Sequence, residues 1–356
     1  MKLQPSKYIL IIIATLLLAV PKQSHGFSLA LDSIAEWGRF PKFCVDTYRW
    51  GDKFFNSYDT AYVDGTGYKF NIKLKTETWN DQYLFNLPDN YRMEMFSDWN
   101  TSAGFWLSYL AVSVGYDLNV SKYFGGSDKA RKRFNFKFNC ALFGADFYWI
   151  TNDIGSNIKE FGPKNDMQKL NIPFDGINNT VFGVDTYYIL NNKKYSRAAA
   201  FNFSKIQKRS QGSFFFGLSY WRQKFEFDFN RLPQDIIKDL PQSWEDNGYI
   251  YYTDNHNYSI KAGYGYNWVF AHKWLLGVSE SPMFGIKRGY INDYNEIKTY
   301  CSLSNRLQLS IVWNSRPWFA GIIATADNTL VYDRNHQLMT GIYNIEVSAG
   351  FRFNLW

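Results

Sequence analysis

The sequence predicts an all-β protein, a transmembrane antiparallel β-barrel of about twelve strands with ten as the alternative count, behind a short N-terminal helical leader. Three observations carry this. The closing residues alternate strictly, with Tyr343, Ile345, Val347, Ala349, Phe351, Phe353 and Leu355 on one face and Asn344, Glu346, Ser348, Gly350, Arg352 and Asn354 on the other. Such a strand suits lipid on one side and a polar lumen on the other. Aromatic residues make up 20% of the chain while mean hydropathy is −0.35, a combination expected when half of every strand faces water. Beyond residue 26 no run approaches the roughly 18 apolar residues of a helical span, so membrane crossing falls to strands. A soluble all-β protein can share the composition, and the strand patterns are the discriminator.

Residues 1–26 place Lys2 and Lys7 before an apolar core from Tyr8 to Val20 and offer Ser24 and Gly26 as small cleavage-site residues. They predict an export signal peptide, with no cysteine close enough for a lipid anchor. Residues 27–57 do not alternate. Leu31, Ile34, Ala35 and Trp37 follow Asp32 and Ser33 at helical spacing, which predicts a short periplasmic or lumen-filling helix, a loosely ordered terminus being the alternative.

The barrel is expected over 58–356. Tyr68, Phe70, Ile72 and Leu74 oppose Lys69, Asn71, Lys73 and Lys75, which makes 68–77 the first strand. It must pair with the last, so its lysines should meet Glu346. Further strands are predicted at 82–97, 104–120, 133–150, 178–191, 195–207, 213–228, 257–270, 273–286, 298–313, 317–333 and 341–356. With a periplasmic C-terminus, connections should alternate short inside and long outside. They do so back to 208–212, but 192–194 is tight where a long loop belongs and 151–177 is long where a turn belongs. Trp268, Trp274, Trp313, Trp318 and Trp356 share one expected height, as an interfacial girdle would.

The polar phase nominates Lys69, Lys73, Lys137, Asn139, Lys261, Glu280, Lys298, Arg306, Glu346 and Arg352 as lumen-facing. Of the three cysteines, Cys140 and Cys301 fall on the apolar phase and read as lipid-facing hydrophobes, and with Cys44 they imply neither a disulfide framework nor a metal site. No cofactor is expected. Ser348, Gly350, Phe353 and Leu355, with Trp356 one residue beyond, fit the terminal signal that bacterial outer-membrane barrels present to the barrel assembly machinery.

The run YYILNNKKYSRAAAFNFSKIQKRSQGSFFFGLSYWRQ at 187–223, with the segments 58–75, 101–119 and 133–149, resembles the Bacteroidota family catalogued as domain of unknown function 4421 (DUF4421). Asn191 to Gly217 is its most specific part. The resemblance implies a bacterial outer-membrane barrel and supplies no catalytic residues. Within that run Lys205, Lys208 and Arg209 cluster at a turn, either as a basic periplasmic rim for anionic headgroups or a partner, or as a solvated turn with snorkelling lysines.

The net charge of +7 points to outer-membrane lipids, lipopolysaccharide and phospholipid, and no motif supports nucleic acid. Lys129 to Arg133, Lys287 and Arg288 are expected outside, within reach of lipid phosphates. The role expected is structural or lipid-handling in the outer membrane, with a largely filled lumen. One alternative is a small channel for anionic solutes, from the cationic bias of the lumen set. The other is a lipid-modifying enzyme using His256 or His336 with Asp254 or Asp333; His272 falls in an inner turn, and no nucleophile motif accompanies any of them.

Overall fold

A computed structural model describes residues 36 and 38–354, apart from 56, 87–89, 110–111, 125–131, 153–154, 239–249, 292–296 and 333–336. After helix α1 (Arg39–Phe55) come β1 (Val63–Gly65), β2 (Phe70–Asn86), β3 (Tyr91–Ser97), β4 (Asn100–Tyr109), β5 (Val112–Asn119), β6 (Lys132–Asn139) and β7 (Phe143–Asn152). Next are β8 (Ser156–Pro163), β9 (Gln168–Phe174), β10 (Ile177–Ile189), helix α2 (Arg197–Phe201), β11 (Lys205–Gln207), β12 (Gln211–Asp228) and helix α3 (Gln234–Ile237). The chain finishes with β13 (Ile250–Ala271), β14 (Trp274–Ile291), β15 (Ile297–Asn314), β16 (Trp318–Tyr332) and β17 (Gln337–Phe353).

Twelve strands, β2, β4 to β7, β10 and β12 to β17, form an antiparallel ring that closes where β17 pairs with β2, from Phe353 opposite Phe70 to Gln337 opposite Asn86. From the upper part of β2, β3, β8 and β9 branch as a side sheet, while β1 and β11 form a separate pair. One end of the ring carries the tight connections 272–273 and 315–317 and is here the turn end; the other is the loop end.

Burial is inverted relative to a water-soluble sheet. On the outward phase Leu218, Ile260 and Leu303 are 64%, 63% and 55% exposed, whereas inward Asn257, Lys261 and Arg352 are 0%, 7% and 2% exposed. Period-two alternation alone sorts them so, with the greasy member of each pair turned outward. Trp268, Trp274 and Trp318 stand exposed near the turn end, at the foot of this apolar belt.

The strand number agrees with the sequence expectation, but the partition differs. The expected strands 104–120 and 133–150 are each two strands, β4 with β5 and β6 with β7. At each boundary the outward phase switches, from odd numbers (Phe105, Leu107) to even (Val114, Tyr116) and from even (Phe134) to odd (Phe147, Trp149), while the run stays rich in apolar residues. The expected 82–97 joins the upper half of β2 to β3 of the side sheet. No wall strand runs at 195–207. Ala198 to Ala200 favour helix, and Ser196 caps it by accepting from the Ala199 amide at 3.2 Å. Removing that strand moves 151–177 to the loop end, where a long connection belongs.

The N-terminal helix observed is Arg39–Phe55; the helix expected around Leu31 to Trp37 and the signal peptide expected at 1–26 lie outside the described residues. Cys140 is buried just past β6 instead of lipid-facing, because its strand ends at Asn139; Cys301 is exposed on the outward phase.

Candidate functional site, a chamber between plug and cap

The connection 190–210 between β10 and β12 folds back into the turn end of the barrel as a plug. Its small residues permit close approach: Ala200 is fully buried, and a Cβ on Gly277 of the wall would lie 2.6 Å from the Ala200 Cβ. Phe203, at φ 60°, packs its ring 5.5 Å from that of Phe319, and Gly321 and Gly350 leave room for those two rings. Buried Arg352 staples the plug to the wall. It donates to the carbonyls of Ser315 at 2.9 Å and Arg316 at 2.8 Å, and its other terminal nitrogen donates to the carbonyl of Phe203. Asn314 also donates to the Lys205 carbonyl at 2.9 Å, and Gln207 donates to the Lys194 carbonyl at 2.7 Å while accepting from the Ser196 amide at 2.9 Å. Buried carbonyls that would otherwise be costly are thereby satisfied.

The loop end is closed by rings and aliphatic side chains. Inward Tyr83 and Phe85 of β2 meet inward Phe225 and Phe227 of β12, with ring centroids 5.7 Å apart for Tyr83 and Phe225 and 5.3 Å for Phe85 and Phe227. In a ring of twelve, β2 and β12 stand six strands apart. Opposite walls therefore touch. Met93, Met95, Ile158, Phe161 and Phe174 of the side sheet and Ile236 of α3 complete this apolar cap.

Between plug and cap lies a cavity of about 270 Å³. Lys73, Lys75, Lys137, Arg197 and Arg306 line it, against Glu77, Asp81, Asp146, Asp185, Asp327 and Glu346, so five cations face six carboxylates. Most are engaged in ion pairs. Lys73 lies 2.9 Å from Glu346 across the closing seam, and Lys75 lies 2.8 Å from Glu77 and 3.0 Å from Asp117. Asp185 of β10 holds both Lys261 of β13 and Arg306 of β15, the latter at 2.8 Å, and Arg306 also reaches Asp327 at 2.5 Å. Arg197 of the plug donates to Ser279 at 2.7 Å and to Gln308, and stacks over Tyr187, Phe201 and Phe215.

The seam pair is a modest support. With both side chains only 15% exposed, a double-mutant cycle of Lys73→Met and Glu346→Gln is expected to give a coupling of about 1 kcal/mol in urea unfolding. A coupling near zero would show that closure does not use this pair.

Of the residues nominated as lumen-facing, Lys73, Lys137, Asn139, Arg306 and Glu346 line the chamber, and Lys261 is buried in its wall against Asp185. Asn139 accepts a hydrogen bond from the Tyr187 hydroxyl at 2.5 Å. Arg352 belongs to the plug anchor. Lys298 sits on the inward phase near the loop end, apart from the chamber lining. Two are corrected. Lys69 is exposed at the turn-end rim, one residue before β2 begins, with its amide bound to Asn354 at 2.8 Å. Glu280 is exposed on the outward face, because the inward phase of β14 falls on odd numbers such as Ser279 and Ser281.

The basic turn is engaged instead of forming an open rim. Lys205 stacks over Tyr58 and Arg209 over Tyr62, and Lys208 donates to the Thr60 carbonyl at 2.6 Å. In the assembly signal Ser348 is buried inward, Gly350 makes room for Phe319, and Phe353 stacks on Phe70 at 5.5 Å; Leu355 and Trp356 lie outside the described residues. Lys287 is buried inward over Trp221, so it is not an outer-surface cation, whereas Arg288 faces outward. His256 shares a hydrogen bond with the Tyr220 hydroxyl at 2.8 Å on the outward face, and His336 and Lys129 to Arg131 lie outside the described residues.

Sequence reasoning missed Lys75 as a site residue, and with it Glu77, Asp117, Asp185, Arg197 and Asp327. The signal for Asp185 was present, since Gly183, Asp185, Tyr187 and Ile189 share one phase with the polar residue inward. Arg197 was hidden by reading its segment as a strand.

A family model described as Domain of unknown function (DUF4421) matches residues 57–353. No curated protein sequence matches the chain. Among solved structures, it is similar to the outer membrane protease OmpT from Escherichia coli, at 8% identity and TM-score 0.38, over 80% of this chain and 97% of that one. It is also similar to the translocator domain of the autotransporter NalP from Neisseria meningitidis, at 8% identity and TM-score 0.30, over 91% of this chain and 98% of that one. The toluene transporter TodX of P. putida matches at 6% identity and TM-score 0.28, over 81% of this chain and 91% of that one.

Proposed function

The chain belongs to the DUF4421 family, and from that premise we propose that it resides in the bacterial outer membrane as a sealed barrel with a structural or lipid-handling role in the envelope. The observation that carries the reading is contact between opposite walls at the loop end, with Tyr83 and Phe85 against Phe225 and Phe227. The plug at the turn end supports the same reading, in which the lumen is closed at both ends and does not conduct. Its near balance of charge gives no anion-selective lining, so the sealed reading is favoured over a small anion channel.

In this reading the turn end faces the periplasm and the belt contacts acyl chains. Beyond the belt at the loop end, Arg222, Lys224 and Arg288 stand on the outward phase, at the level of phosphates of lipopolysaccharide or phospholipid. Arg222 is held in place by Asp254, with hydrogen bonds of 2.7 and 2.5 Å. The terminal Ser348, Gly350 and Phe353 would be read by the barrel assembly machinery.

Membrane residence is tested by Val347→Arg. Val347 is exposed, four residues above Phe351, whose register partner is Trp318 of the girdle. In lipid this change is expected to cost about 2–4 kcal/mol and to weaken the heat-resistant folded band on gels. In water an exposed substitution is worth about 0.5 kcal/mol or less, and that result would reject the reading. The role is tested by comparing lipid composition and envelope permeability of deletion and parent strains; an unchanged envelope would reject it.

A further inference from the structure

Glu280 stands where a lipid-facing hydrophobe belongs. The outward phase of β14 runs Trp274, Leu276, Val278, Glu280, Pro282, Phe284 and Ile286, and Glu280 is exposed within it. Trp274 marks the foot of the belt. A tilted strand climbs roughly 2.5 Å per residue, which sets Glu280 about 15 Å above Trp274, inside an apolar band about 25 Å tall. Its neighbours in register are the exposed Tyr264 of β13 and Leu307 of β15. Among the described residues it has one hydrogen bond, from the Asn305 amide at 3.2 Å. A carboxylate at this depth is unfavourable against acyl chains, and such groups are kept where something pairs with them.

We infer that Glu280 is the centre of a contact with a different membrane-embedded protein, one that presents a lysine or arginine side chain at mid-membrane depth. The inference rests on the membrane residence proposed above. Charge complementarity names the cation, and position excludes the other sources. Lipid amines stay at the headgroup level, well above this depth. A second copy is disfavoured, because among the described residues no outward lysine or arginine stands at this height. The outward cations Arg222, Lys224 and Arg288 lie at the loop end and Arg316 at the turn end. A two-fold pair would bring Glu280 against itself or against an apolar neighbour.

The test places a photo-reactive side chain at Leu307 in the full chain and illuminates intact cells. One discrete adduct is expected, joined to a membrane protein whose cross-linked peptide carries a lysine or arginine. Glu280→Gln and Glu280→Leu should each lower its yield about tenfold. Exchanging the charges, with Glu280→Lys here and Glu in place of the partner's cation, should restore it. Because Glu280→Leu matches its surroundings, it should insert as well as the parent, as a heat-dependent gel shift would verify. Adducts to lipid alone, to a second copy, or undiminished by Glu280→Leu would overturn the inference while leaving membrane residence intact. A chain found in the aqueous fraction would overturn both.

Discussion

Replacing Asp185 by alanine is expected to cost about 3–5 kcal/mol of unfolding free energy, the largest effect of any single side chain in the chamber. Asp185 is 7% exposed and holds Lys261, itself 5% exposed, together with Arg306. Arg306 keeps Asp327 when the carboxylate is lost, but Lys261 is left as a buried charge whose described ion-pair partner is gone. The penalty is therefore the stranded ammonium more than the missing attraction. It follows that Asp185→Ala combined with Lys261→Met should recover more than half of the loss, since a buried pair replaced by apolar groups is often near neutral. Urea unfolding in lipid vesicles, followed by tryptophan fluorescence, checks both variants. A single-mutant loss below about 1 kcal/mol would mean that water reaches Lys261 and the chamber is not closed.

Opening both closures is expected to turn a silent barrel into a conducting one. The parent should show no stepwise conductance in planar bilayers, because plug and cap block in series. Replacing 192–208 with a short Asn-Gly turn leaves the rings of Tyr83, Phe85, Phe225 and Phe227 in contact, so that variant should stay silent. Truncating those four rings to alanine and removing 155–175 leaves the plug clamped by Arg352, and should stay silent too. Only the combined variant should conduct, provided that it retains the heat-dependent gel shift of a folded barrel. Conductance by the parent, or by a single opening at the level of the combined one, would refute two closures in series.

Much of this barrel was legible because alternation is a local property. β17 could be read residue by residue, and so could the Lys73 to Glu346 neighbourhood, since the first and last strands of a ring must meet. Strand partition was misread between β4 and β5, where the outward phase changes from the odd Phe105, Leu107 and Tyr109 to the even Val114, Tyr116 and Leu118: that slip of phase marked the boundary, but no polar run set it apart. The plug was illegible for a different reason. Tyr195, Arg197, Ala199, Phe201 and Phe203 alternate as a strand would, and only the alanine run after the Ser196 cap argues for helix. Glu280 misled because polarity was equated with the lumen; parity with Trp274, six residues earlier, would have turned it outward. Asp185 was passed over because it sits singly among uncharged neighbours and its cations, Lys261 and Arg306, come from strands 76 and 121 residues away; Asp327 lies directly opposite Arg306 on the neighbouring strand, a pairing that only the register shows.

The seam between β2 and β17 has a consequence for biogenesis. Lys73 and Glu346 are 273 residues apart, so the cylinder cannot shut until the whole polypeptide has been delivered. Until then β2 offers a raw row of amides and carbonyls to any passing strand, and so does the newest arrival at the other margin. A chain cut short before Gln337 would keep both margins permanently unsatisfied, and should be cleared or aggregate in transit instead of inserting as a smaller cylinder.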